Sequence, residues 1–150
     1  MDHMVIRLGK YLRVIGCDAE WDIGLSTREL LQRAKAEGRV FITRNRRLSE
    51  QYPAAKNVFV TRETDPVKQF RELLPRFSLD PRRTLFGKCI RCNVHLDEVA
   101  DKESIRARVH PNVFSRHDRF FACSRCGTVF WHGSHVANTC RKLGIERPNR

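Results

Sequence analysis

The sequence predicts an α/β fold with a largely parallel sheet, followed by a small β unit built on paired cysteines. Three observations predict it. Amphipathic helical stretches alternate with short, β-branched apolar runs over the first half of the chain, the pattern of parallel strands joined by crossover helices. That pattern breaks near Phe86. Beyond it, two C-x-x-C pairs sit among short strand-like arms.

Residues 4–17 read as a helix. Val5, Leu8, Leu12 and Ile15 recur at helical spacing, with Arg7, Lys10 and Arg13 on the polar side and Gly16 as the stop. Asp18 to Asp22 reads as a short strand or turn around Trp21. Ser26-Thr27-Arg28-Glu29 is a capping-box pattern; Leu30, Leu31 and Ala34 continue it as an apolar face ending at Gly38. Arg39 to Thr43 and Asn57 to Thr61 are apolar runs that predict buried strands. Asp65-Pro66 opens a further helix with Val67, Phe70, Leu73 and Leu74 facing inward. Arg76 to Gly87 reads as a linker, which gives an α/β domain over 1–80 and a second domain over 81–150. In the latter, Val94 to Val99, Arg119 to Ala122 and Thr128 to His132 are the expected strands.

The chain has 150 residues, 41% of them hydrophobic, and no run approaching the ~20 apolar residues of a membrane helix. Its first residues lack the apolar run of a secretory signal. A cytoplasmic protein is expected, with an organelle matrix as the other compatible compartment, and no membrane partner. The formal net charge is +12, with 15 basic against 11 acidic residues in 1–80 and 14 against 6 in 81–150. Such an excess favours polyanions, nucleic acid above all.

Six cysteines are present, at 17, 89, 92, 123, 126 and 140. Cys89-Ile90-Arg91-Cys92 and Cys123-Ser124-Arg125-Cys126 supply four thiolates, and each short loop can turn two sulfurs to one side of a tetrahedral ion. This predicts a structural zinc site; redox chemistry would need only one such pair. His132 and His135 flank the second pair as possible ligands or phosphate contacts, against the plainer reading of packed or surface histidines. Trp131 is expected in the small core, with base stacking as the alternative. Cys17 is expected in the core.

In an open α/β sheet, reactive groups gather at the carboxyl ends of the strands. There the first strand runs into Arg44-Asn45-Arg46-Arg47, and arginine forks suit phosphates. Cleavage of a phosphodiester with Mg²⁺ or Mn²⁺ needs converging carboxylates. Asp2, Asp18, Asp22, Glu29 and Glu37 form no such cluster by spacing alone.

The run Asp2-x-Met4…Leu12-Arg13-Val14-Ile15-Gly16-Cys17-Asp18 resembles the opening of the Mut-seven C-terminal ribonuclease domain family, a PIN-like domain with a C-terminal zinc ribbon. Glu29-Leu30-Leu31, Glu37 to Arg44, Asp65-Pro66-Val67…Gln69, both cysteine pairs and Trp131-x-Gly133-Ser134-His135 extend the resemblance over about residues 2–143. It implies a PIN-like parallel sheet flanked by helices, then a zinc ribbon, with single-stranded RNA as substrate. It also matches Asp2 by position to the first catalytic carboxylate, although the strand that normally precedes that residue is missing here. Asn45 and Thr27 occupy positions where the family usually carries aspartate.

An amide and a hydroxyl bring no charge to hold a divalent ion. The resulting expectation is a zinc-containing RNA-binding protein with a degraded active site, fit for a ribosome-like ribonucleoprotein. Its phosphate contacts would be Arg13, Arg44, Arg46, Arg47, Lys88, Arg91 and Arg125, with Arg82 and Arg83 beside the ribbon. The alternatives are an active Mg²⁺- or Mn²⁺-dependent endoribonuclease and a zinc-ribbon module for protein interaction.

Overall fold

The computed structural model describes residues 1–146. The chain divides into two compact units: Met1–Leu12 with Cys17–Asp80, and Arg13–Gly16 with the chain from Pro81 onward. No helix among the described residues is long and apolar enough to cross a membrane.

In the first unit a 3-10 turn, His3–Val5, leads into α1 (Ile6–Val14), whose last turn belongs to the second unit. The predicted helix stops as expected at Gly16, which has a φ of +81°, and a Cβ there would collide with Thr84. Asp18 to Asp22 forms no strand. Its Trp21 instead lies so close to Gly9 that a Cβ on that glycine would meet the indole at 2.8 Å.

Helix α2 (Thr27–Ala36) starts with the full capping box: Glu29 N–H donates to Ser26 Oγ, and the Glu29 carboxylate accepts from Ser26 N–H at 2.8 Å. Strands β1 (Phe41–Thr43) and β2 (Val58–Val60) pair in parallel with Phe41 opposite Val58 and Thr43 opposite Val60. The parallel sheet has these two strands. Between them lies a short helix, α3 (Leu48–Gln51), and after them α4 (Pro66–Arg76), capped by the Asp65 carboxylate on the Val67 and Lys68 N–H groups. Leu30, Leu31, Ala34, Phe41 and Leu48 form one buried cluster. Val67, Phe70 and Leu73 are also buried, while Leu74 is only half-buried.

The second unit is built on an antiparallel sheet in the order β3 (Leu96–Glu98), β4 (Phe120–Cys123), β5 (Val129–Trp131). The span between the cysteine pairs carries a 3-10 helix, Lys102–Arg108, and α5 (Pro111–Arg116). Ile105, Phe114 and Phe120 form its core, with Trp131 packed against them. A helix absent from the sequence reading, α6 (Ser134–Leu143), follows. It buries Val136, Cys140 and Leu143 and ends on Gly144 with a φ of +73°.

Candidate metal centre and nucleic-acid site

Each C-x-x-C pair lies in a knuckle of the same construction. In the first, Cys89 N–H donates to Val94 O at 2.8 Å and Asn93 N–H to Cys89 O at 2.9 Å. In the second, Cys123 N–H donates to Thr128 O at 3.1 Å and Gly127 N–H to Cys123 O at 2.8 Å. Both turns close through a left-handed residue, Asn93 at φ +64° and Gly127 at +71°, one of the few conformations that only glycine and asparagine adopt readily. The Cys92 N–H points at Cys89 Sγ and the Cys126 N–H at Cys123 Sγ, so backbone donors already face sulfur.

The four sulfurs lie within 4.8 Å of one another. A tetrahedral ion with metal–sulfur bonds of about 2.3 Å sets sulfurs roughly 3.8 Å apart; Cys89 Sγ and Cys126 Sγ are 3.9 Å apart. Cys89, Cys92, Cys123 and Cys126 therefore fit a metal ion such as zinc, and a four-thiolate shell is a closed, structural site. Crowding splits their acidity. Hydrogen bonding to Cys126, together with burial, pushes Cys92 up to about 12. Burial raises Cys89, whereas hydrogen bonds from the Thr128 hydroxyl and backbone bring Cys126 down to about 6. Neither His132 nor His135 joins the quartet; His135 meets the Trp131 ring edge-on at 5.4 Å.

Arg13 does not lie on an RNA-facing surface, contrary to the sequence expectation. It is 5% exposed, and its Nη1 donates to Ile90 O at 3.0 Å and Arg91 O at 2.9 Å. These two bonds to the carbonyls between Cys89 and Cys92 brace the knuckle. Arg91 is exposed and reaches Thr128 Oγ1 on the other knuckle at 3.4 Å. Lys88 is half-buried and donates to Asn93 O at 3.1 Å, while Arg125 projects from the second knuckle into solvent.

The carboxyl edge of the parallel sheet gathers Asp2, Thr43 and Asn45. Asp2 N–H donates to Ile42 O at 3.2 Å, a single bond to the edge of β1. The Asp2 carboxylate is buried; one oxygen caps the first turn through Met4 N–H at 2.9 Å, and the other accepts from the Thr43 hydroxyl. Thr43 Oγ1 in turn accepts from Asn45 N–H at 2.9 Å. The Asn45 side-chain oxygen accepts from Arg47 N–H, closing its own loop. Thr61, just past β2, donates from N–H to Thr43 O at 2.9 Å and from its hydroxyl to Glu72 at 2.5 Å. Thr27, the first residue of α2, shares no described interaction with these groups.

Sequence reasoning missed Thr43, Thr61 and Glu72; threonines ending two adjacent strands were the available signal. The loop after β1 presents Arg44 half-buried and Arg46 and Arg47 exposed, with no ion-pair partner for their guanidinium groups among the described residues. Within the described residues, the cysteine quartet is the one group of three or more His, Cys, Asp or Glu placed to hold a metal ion. Cys17, expected in the core, is half-buried.

Neither the curated proteins nor the solved structures compared with the chain contain a match. A family model does match, the Mut7-C RNAse domain, over residues 1–143, and the chain belongs to that family.

Proposed function

We propose that this chain is an RNA-binding member of its ribonuclease family in which the cleavage site has decayed, with a zinc-stapled ribbon as its second grip on RNA. The observation that carries the reading is the state of Asp2. It is buried, and its two oxygens are engaged by Met4 N–H and the Thr43 hydroxyl. The position where the family usually carries a second aspartate holds Asn45, whose side-chain oxygen accepts from Arg47 N–H. Mg²⁺ and Mn²⁺ require several carboxylate oxygens around a near-octahedral ion, and this donor set does not fit them.

The same edge is well suited to holding RNA without cutting it. Arg44, Arg46 and Arg47 stand at the sheet end, and Arg91 and Arg125 on the knuckles, with no ion-pair partner among the described residues. Guanidinium forks bind phosphate oxygens in pairs. The PIN-like arrangement implied by the family would place the RNA backbone along this edge, and a ribosome-like particle would present the same phosphate chemistry.

Fluorescence anisotropy with a labelled single-stranded RNA tests the reading. Each phosphate contact releases counterions, so log affinity should fall linearly with log salt, with a slope near −0.7 per contact. Removing Arg46 and Arg47 together should flatten the slope by roughly one to two units. Affinity that does not change with salt would refute RNA binding and favour the protein-interaction alternative.

A further inference from the structure

We infer that the outer face of the second unit's sheet holds a nucleotide subsite, a base-stacking pocket centred on His132 and Phe121. The inference rests on the reading of the chain as an RNA binder and adds a site separate from the sheet edge around Asp2.

Side chains alternate along a strand. Phe120 of β4 and its partner Trp131 of β5 enter the core, so Phe121 faces the other way. His132, just past β5, stacks on Phe121 with ring centres 5.4 Å apart and planes within 25°. Phe86 continues the row at 5.8 Å from His132. Phe86 has a φ of +58°, a left-handed conformation that is a genuine outlier for a bulky side chain. Its N–H is held by Val14 O at 2.6 Å. The backbone is thus constrained where it delivers a half-buried ring to this row, whose exposed member is His132.

A cavity of about 380 Å³ opens on this row, bounded by Phe121, His132 and the segment Arg116 to Arg119. That volume lies within the range of small-ligand pockets. Its charges do not cancel. Glu98 takes Arg119 in two hydrogen bonds of 2.7 and 2.9 Å, and Lys102 takes Asp118 at 3.2 Å. Arg116 and His117 have no ion-pair partner among the described residues. Arg119 lies over the Phe121 ring at 5.7 Å, so the exposed His132 ring is the face left for a planar base, with Arg116 in the same cavity for its phosphate. Base stacking on aromatic side chains tolerates any sequence, as a platform for single strands requires.

The test compares two probes on the full, zinc-loaded chain by fluorescence anisotropy: a ten-nucleotide single-stranded RNA and an abasic strand of the same length. The wild-type chain should prefer the RNA. His132→Ala should reduce that preference by roughly 5- to 150-fold while leaving affinity for the abasic strand unchanged. His132→Phe, which keeps a ring, should restore it, and Arg116→Ala should weaken both probes. Equal wild-type affinity for the two strands overturns the subsite, as does a His132→Ala chain that keeps the preference; in both cases RNA binding itself survives. Binding of neither probe refutes the RNA reading and the subsite with it.

Discussion

Thr43 donates its hydroxyl to the carboxylate of Asp2, joining two buried side chains 41 positions apart. The threonine oxygen also accepts from Asn45 N–H, so one hydroxyl satisfies groups on both sides of the sheet edge. The edge is organised around a hydrogen-bonded carboxylate, and on the adjacent strand end Glu72 accepts from the Thr61 hydroxyl.

Thr43→Val keeps the shape of the side chain and removes that hydroxyl. It leaves a buried carboxylate oxygen and the Asn45 N–H without a partner, at a cost of roughly 2–3 kcal/mol. Urea denaturation of the purified variant measures it; a loss below 0.5 kcal/mol, taken as about the scatter of surface substitutions, would contradict the arrangement.

Arg13→Gln should destabilise the second unit by about 2–3 kcal/mol, because two carbonyls of the first knuckle lose a charged donor. RNA affinity of the folded fraction should remain that of the wild type, unlike variants of Arg46 or Arg47. A parallel titration of all three variants separates bracing from phosphate contact.

Elemental analysis should find about one zinc per chain. Stripping it with a strong chelator, or replacing Cys89 with serine, should abolish the tertiary structure around Phe114, Phe120 and Trp131. The binding free energy of a structural zinc is inseparable from folding. Near-ultraviolet circular dichroism reads the loss, and re-adding zinc to the chelated wild type should reverse it.

The capping box predicts a pH signature. The Ser26 hydroxyl and N–H hold the Glu29 carboxyl below its usual range. Its folded value is depressed, so its contribution is present above the ordinary carboxylate range and is lost as pH falls through the folded value. Ser26→Ala should cost about 1 kcal/mol at neutral pH. The gap from wild type should narrow at about pH 3, which thermal unfolding at the two pH values checks.

Local signals in the sequence located what local physics determines. Ser26 and Glu29 form their box, Asp65 caps α4, and the two β-branched runs pair in parallel. The spacing of the cysteines anticipated four converging sulfurs. Helices α3 and α5, of four and six residues, are too short to display a period. Helix α6 does carry one, in Val136, Cys140 and Leu143, and the sequence reading left it unused. Arg13 looked like a surface residue because its spacing matches Arg7 and Lys10. Its partners lie 77 and 78 positions away, beyond the reach of any local pattern.

The most direct test is cleavage of single-stranded RNA with added Mg²⁺ or Mn²⁺. The wild-type chain should bind RNA and leave it intact, and Asn45→Asp combined with Thr27→Asp should gain metal-dependent cleavage. Metal-dependent cleavage by the wild-type chain, abolished in Asp2→Ala, would contradict the account.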